Sequence, residues 1–148
     1  MANPDGSNAR TRLSAAFAWD WYRDSRHVVY TRRAADGSGA REMILTDLDS
    51  REETLLHRGP SVELVAARDG SAIAYCYAIN HVGQELYVLR LAAGVAGRLP
   101  HPLGEPEQIT HGKGNWHVHG PSWSADGKTV VYTRDADQGD VYVIENYR

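Results

Sequence analysis

A repeated segment of strand-forming residues limits the possible folds of this chain more than any other feature. The string VVYTR occurs at 28–32 and again at 130–134, and the similar string IAYCY lies between them at 73–77. An aspartate and a small residue precede each string at the same distance, as Asp24-Ser25, Asp69-Gly70 and Asp126-Gly127. The aspartates are 45 and 57 residues apart. A period of about 40–50 residues with several strands per unit is typical of propeller blades.

Each repeat has the composition of a β-hairpin. Asp-Gly adopts positive φ at low cost, which predicts a two-residue turn before each string. β-Branched and aromatic residues dominate the strings and favour strands over helices. A second β-rich run follows in each unit, at 41–48, 84–91 and 139–146. No segment shows a sustained helical stripe of apolar residues, so the sequence predicts an all-β fold.

Composition narrows the classes of partner. The 148 residues carry a net charge of −3, with 42% hydrophobic and 24% charged residues, as in an ordinary globular domain. Without a strong basic field, binding to nucleic acid is not expected. The lone cysteine, Cys76, excludes an internal disulfide and a cysteine zinc site, and its apolar surroundings predict a small buried hydrophobe. No apolar run is long enough for membrane insertion.

The first residues, 1–9, are polar and predict a flexible N-terminus. They lack the apolar core of a signal peptide, so the chain as it stands is expected in the cytoplasm, or as a mature form from which a signal has been removed.

The last repeat carries the most specific motif. Residues 121–145 combine a Trp-Ser-x-Asp-Gly-Lys hairpin, an apolar strand, a polar loop and an Asp-Val-Tyr-Val strand. The motif positions are Trp123, Ser124, Asp126, Gly127, Lys128, Asp140, Val141 and Tyr142. This pattern resembles the TolB-like β-propeller repeat, and the resemblance extends over about 17–148. It implies a periplasmic location, and functions that range from binding modules to gating domains of serine peptidases and sugar-lyase folds.

The other two units keep part of this motif. Trp21 lies three residues before Asp24, as Trp123 does before Asp126, whereas the middle unit has Ala66 at that position. In blade packing this position is expected to face the neighbouring sheet.

The predicted architecture is a single propeller unit, 10–148, of three four-stranded blades. The blades are expected at about 17–57, 60–110 and 117–148. The stretch 92–106 is rich in Gly and Pro and predicts a long surface loop without a contribution to the core.

Three blades are too few for a ring, because propellers typically have four to eight. The segment 10–14 resembles an outermost strand, like the segment 106–110 that precedes the third blade. We expect it to pair with the last blade of a second copy, so that a homodimer closes a six-bladed ring. The alternative is a monomeric truncated fragment or a partial ring.

Three histidines in 111–119 form the most conspicuous candidate site. His117 and His119 are two residues apart, so both point to one face of a strand, and His111 lies on the preceding loop. Together they are candidate ligands for a divalent metal, the one cofactor that the sequence suggests. Trp116, His117 and His119 are equally a candidate ligand-binding group. Some sugar-lyase propellers that this chain resembles hold a metal through histidines, but no full ligand set matches. The alternative is that the histidines are structural or merely exposed.

Other motifs are incomplete. The loop that begins at Asp135 has the spacing of a calcium loop but lacks its terminal glutamate, so a structural turn is favoured. No Gly-x-Ser-x-Gly nucleophile elbow is present.

Three functions follow from these observations. The leading hypothesis is a non-catalytic binding or scaffold module for a protein, peptide or small polar ligand. The alternatives are a metal-assisted polysaccharide lyase or hydrolase that uses the histidines, and a half-propeller whose main property is self-assembly.

Overall fold

The computed structural model describes residues 5, 7, 9, 11, 13–80, 83–92, 99–112 and 116–136. This part of the chain is all-β and contains no helix, which confirms the predicted class. The strands are β1 Trp19–Trp21, β2 His27–Arg33, β3 Arg41–Asp47, β4 Glu53–Arg58, β5 Ser61–Ala66, β6 Ala72–Asn80, β7 Gly83–Ala92, β8 His101–Pro102, β9 Glu107–Gln108, β10 Trp116–Trp123 and β11 Val130–Ala136. Within the same residues, no helix is long and apolar enough to cross a membrane.

The strands form three antiparallel sheets in chain order. The first sheet has the order β1-β2-β3-β4, and the second has the order β5-β6-β7-β8, with β9 also paired to β7. The third sheet consists of β10 and β11 in the described residues. The strands β2, β6 and β11 contain the three repeated strings. The run predicted at 139–146 lies outside the described residues.

The hairpin before each string has the same geometry in all three sheets, but the prediction of two-residue turns was wrong. In each hairpin, four residues lie between the two residues whose backbone hydrogen bond closes the loop. In the second sheet these are Ala67 and Ala72, and the Ala67 N–H donates to the Ala72 carbonyl at 2.9 Å. Positive φ is confined to one residue per turn, at 56° in Ser25, 74° in Gly70 and 68° in Gly127. A two-residue type I′ turn needs two such residues, whereas the longer loop needs one.

The turn aspartate has a structural role in each repeat. Its Oδ1 accepts a hydrogen bond from the backbone N–H two residues later, at 3.0 Å for Asp24, 2.9 Å for Asp69 and 3.2 Å for Asp126. A short acidic side chain that bonds its own backbone in this way favours a turn over an extended strand. The repeated aspartates therefore define where each hairpin reverses.

The core consists of the layers between neighbouring sheets. Val29, Met43 and Leu45 of the first sheet pack against Ile73, Tyr75 and Leu89 of the second, and all six are fully or almost fully buried.

A second layer joins the second sheet to Val118 of β10, with Trp123 and Val130 partly buried against it. Cys76 belongs to this layer and is fully buried, as predicted. Burial, with the nearby charge of Glu63, raises the pKa of its thiol to about 12, so Cys76 is not a nucleophile at neutral pH.

The segment 92–106 is not the featureless surface loop that its Gly and Pro content predicted. His101 and Pro102 form β8 on the edge of β7, and Leu99 packs against the core layer between the first two sheets. Its residues 93–98 lie outside the described part. The predicted outer strand before the third blade is present as β9. In the segment 10–14, the described residues Thr11, Leu13 and Ser14 are not part of a strand.

An ion pair between the exposed Arg26 and the buried Asp47, at the end of β3, predicts acid-sensitive stability. The Arg26 guanidinium holds the pKa of Asp47 well below its usual range, and the Asp49 N–H donates to the same carboxylate at 2.8 Å. Because the folded pKa is lower than the unfolded one, this contribution is present above about pH 4 and is lost as the pH falls below it. Denaturant midpoints at about pH 7 and about pH 3 should differ less in Asp47→Asn than in the wild-type chain. Asp49→Asn removes the same charge nearby but keeps the pair, so it should retain the wild-type difference.

Candidate functional site

The predicted histidine pair lies on β10, and a β-bulge determines how that strand is presented. His119 pairs with Thr133 and Ser122 pairs with Val131, so Gly120 and Pro121 together oppose the single residue Tyr132. Gly120 has φ of 56°, which the extra residue of such a bulge requires. Proline is tolerated at a bulge because it has no N–H to donate to the ladder. The two histidine rings are 5.6 Å apart, as expected for residues on one face of a strand.

Glu63 connects the histidines to the second sheet. Its carboxylate lies 3.2 Å from Nδ1 of His119 and accepts a hydrogen bond from the Gly120 N–H at 2.5 Å. On the other side of the ring, Nε2 of His119 lies 3.8 Å from the Asp135 carboxylate. The His119 imidazole is therefore held between two carboxylates from different sheets, and its side chain is about 37% exposed.

Asp135 does not lie in a structural turn as predicted. It belongs to β11 and pairs with His117 across the hairpin. The rest of the calcium-like spacing lies outside the described residues.

Trp116 begins β10 and presents a partly exposed aromatic surface. The guanidinium of Arg134 lies over its indole ring, 4.2 Å from the ring centre. This is a cation–π contact, which orients the planar guanidinium and leaves its N–H donors at the edge. In the described part of the chain, Arg134 has no ion pair or hydrogen-bond partner for its side chain. Trp116 and Arg134 thus form a preformed surface with free hydrogen-bond donors.

The loop that carries His111 is anchored by a buried carboxylate. Glu85 is 5% exposed, and it accepts hydrogen bonds from the Thr110 hydroxyl and the Gly112 N–H. The Thr110 Oγ1 in turn accepts the Leu86 N–H at 2.8 Å. His111 itself is exposed on this loop.

The structure brings together His117 and His119 but does not assemble a three-histidine site. Across the residues that the structure describes, no group of three or more His, Cys, Asp or Glu side chains is placed to hold a metal ion. The physical reason is that Glu85 fixes the loop of His111 against the second sheet, whereas His117 and His119 belong to β10 in the third sheet. The described residues instead form two groups on opposite faces of the β10–β11 hairpin, because residues alternate between faces along paired strands. Trp116 and Arg134 lie on one face, and His117, His119 and Asp135 lie on the other.

The C-terminal ends of β1, β5 and β10, which are the first strands of the three sheets, border a shared groove. Its volume is about 460 Å³, and its walls include Asp20, Trp21, Arg68 and Trp123. The Trp123 Nε1–H donates to the Val65 carbonyl at 3.1 Å, and Asp20 accepts the Ala66 N–H at 2.9 Å. These bonds connect the first strands of neighbouring sheets.

Sequence reasoning missed Glu63, Glu85 and Arg134. Glu63 and Glu85 each lie in a mostly apolar strand, SVELVA and QELYVLRL, with apolar residues beside them. A carboxylate at such a position favours a specific partner, because an unpaired charge is costly where the strand is buried, as Glu85 is. This signal was available in the sequence, although the partners were not.

No family model and no curated protein matches this chain. Among solved structures, its fold is similar to part of the crystal structure of the tricorn protease, with a TM-score of 0.50 and 20% sequence identity. The match covers 79% of this chain and 11% of that chain. At this identity the likeness concerns the fold alone. The chain is an all-β protein whose successive antiparallel sheets are compatible with a β-propeller.

Proposed function

We propose that this chain is a non-catalytic binding module of the TolB-like β-propeller type, which binds a peptide or small polar ligand through a carboxylate. The observation that carries the proposal is the Arg134 guanidinium held over Trp116 with its donors free of other described side chains. A planar guanidinium binds a carboxylate through two parallel hydrogen bonds. The Trp116 ring offers an apolar surface beside it.

The His119 group is separate from this surface. Glu63 and Asp135 flank the His119 imidazole, and His119 and Asp135 lie on the opposite face of the β10–β11 hairpin from Trp116 and Arg134. The carboxylate site that we propose therefore consists of Trp116 and Arg134.

The assembly that we propose for this module is a ring of six blades formed by two copies, with three four-stranded blades in each. Two features support it, namely the three successive sheets in chain order and the hairpin geometry that they share. Radial sheets of this kind cover one another in turn, so the two end sheets need partners.

Binding is tested by titrating the ¹⁵N-labelled protein and following the indole N–H signals of its four tryptophans. The probes are trialanine with a free carboxyl terminus, the same peptide with an amidated terminus, and galacturonate. We expect the free carboxylate, but not the amide, to shift the Trp116 signal, which is assigned with Trp116→Phe. Arg134→Gln should weaken the affinity by about tenfold or more, because a charge-assisted hydrogen bond contributes about 1.5–3 kcal/mol.

Arg90→Gln is the matched control. Arg90 is an exposed arginine whose ion pair with Glu107 spans 3.9 Å. The Arg90→Gln substitution should leave the titration unchanged. Equal binding of the acid and the amide, or unchanged binding in Arg134→Gln, would contradict the proposal. Stoichiometric zinc binding that is lost in a His117→Ala/His119→Ala variant would favour the metal-dependent alternative instead.

A further inference from the structure

The first and third sheets each have one face, here called open, that no other sheet of the described residues covers. On the first sheet, Trp19 is 61% exposed and Trp21 is 40% exposed. They border a groove of about 490 Å³ with Val28 and Leu48, which are only 4% and 6% exposed and have Leu13 and Ala16 packed against them. On the third sheet, Val131 is 65% exposed, and the same face carries the polar residues Thr133 and Asp135.

The internal repeat specifies which face of each sheet meets which neighbour. Four residues after the turn aspartate, Ile73 packs towards the first sheet and Val130 packs towards the second, so this position faces the preceding sheet. Five residues after it, Val29 packs towards the second sheet and Ala74 packs towards the third, so this position faces the following sheet. Both existing layers obey the same rule.

The same rule identifies the two open faces as the two halves of one layer. Val28 has the position of Ile73 and Val130, and therefore faces a sheet that would precede the first. Val131 has the position of Val29 and Ala74, and therefore faces a sheet that would follow the third. The open face of the third sheet is thus equivalent to the faces that already receive a neighbour within the chain.

Trp21 adds a hydrogen bond to this match of repeat positions. Trp123 has the equivalent position in the third sheet, and its Nε1–H donates to the carbonyl of Val65 on β5, the first strand of the preceding sheet. Both tryptophans also line the groove shared by β1, β5 and β10. In the third sheet, the residue equivalent to Val65 is Ser122.

We propose that a second copy of this chain seats its third sheet on the open face of the first sheet, with Val131 towards the groove that Trp19 and Trp21 border and the Trp21 Nε1–H donating to the Ser122 carbonyl of the second copy. Two such contacts, related by a twofold axis, close the ring. The inference rests on the propeller assembly proposed above and identifies the residues that close it. A second copy is the occupant because one chain already carries both complementary halves of the contact and makes the same contact twice within itself.

The mass in solution tests this contact. Light scattering on the eluting protein should give twice the chain mass of 16.4 kDa across a range of concentrations. Val131→Arg places a charge in the layer and should reduce the mass twofold, to that of one chain. Leu103→Arg is the matched control, because Leu103 is also 65% exposed but lies beyond β8, away from both faces.

Mixing two single variants tests whether the contact is head to tail. Trp19→Arg damages only the face of the first sheet, and Val131→Arg damages only the face of the third. Each alone should have the mass of one chain, whereas an equimolar mixture should recover mass towards a dimer, because one of its two contacts is intact. This recovery also shows that neither variant fails by unfolding.

Several results would overturn the proposal. They are a wild-type mass of one chain, a Val131→Arg mass equal to that of the wild type, masses that grow without limit as concentration rises, and a mixture that does not recover. The carboxylate titration of Trp116 is carried out on the Val131→Arg variant as well. If the carboxylate still binds a variant that has the mass of one chain, the binding function stands without the ring contact. If the carboxylate does not bind a wild-type chain that has the mass of a dimer, the ring contact stands without the binding function.

Discussion

Replacing Tyr75 with alanine is expected to lower the free energy of unfolding by about 3–5 kcal/mol, the usual cost of removing a large aromatic side chain from a core. Tyr75 is fully buried between the first and second sheets. Its ring stacks on Tyr87 at 5.9 Å and lies 5.8 Å from His57. The neighbouring side chains belong to paired strands and cannot collapse into the space that the ring leaves. Urea unfolding followed by tryptophan fluorescence measures the loss.

Tyr75→Phe is the control that separates packing from hydrogen bonding. The Tyr75 hydroxyl is buried and has no hydrogen-bond partner in the part of the chain that the structure describes. Removing an unsatisfied hydroxyl while keeping the ring should leave stability unchanged or raise it by up to about 1 kcal/mol. A loss in Tyr75→Phe comparable to that in Tyr75→Ala would show that the hydroxyl, rather than the ring, stabilises this layer.

Gly70→Ala is expected to destabilise the protein by about 2–5 kcal/mol, through two separate effects. Gly70 has φ of 74°, a conformation that costs an L-residue about 1–2 kcal/mol. A Cβ at this position would also lie 2.4 Å from the Tyr22 hydroxyl oxygen and 2.7 Å from Cδ of Arg23. Tyr22 is buried and donates its hydroxyl proton to the Gly70 carbonyl at 2.8 Å, so it cannot move without breaking that bond. Overpacking of this kind typically costs about 1–3 kcal/mol.

Gly37→Ala isolates the conformational part of this cost. Gly37 has the same φ of 74°, but a Cβ there would meet nothing within 4 Å. We therefore expect a loss of only about 1–2 kcal/mol. Thermal melting of both variants beside the wild type compares the two losses. If they were equal, the contact between the hairpins of the first and second sheets would not contribute to stability.

Much of the fold could be predicted because it is encoded locally. The turn aspartates bond their own backbone, and the strings after them are rich in the β-branched and aromatic residues that favour strands. These interactions span only a few residues, so they are readable in the sequence. Turn length was the exception, since Asp-Gly is compatible with a two-residue loop and a longer one. The sheet chooses between them through the pairing of its strands.

The candidate site could be predicted only in part. The two-residue spacing of His117 and His119 was enough to place both on one face of β10. The involvement of Glu63 was not predictable, because it lies 56 residues from His119 along the chain. The same holds for Arg134, which reaches Trp116 only because β10 and β11 pair in one register. His111 is adjacent to the other histidines in sequence, but Glu85 holds its loop elsewhere.

The sequence by itself determined that the chain is all-β, that it repeats a hairpin unit and where each hairpin turns, because backbone propensity and side-chain alternation act between near neighbours. Only the tertiary structure decided which carboxylate meets His119, which cation covers Trp116, and which sheet faces remain open. Those contacts depend on how whole sheets are placed against one another. Such placement is the sum of many weak packing terms over distant residues, and no short motif records it.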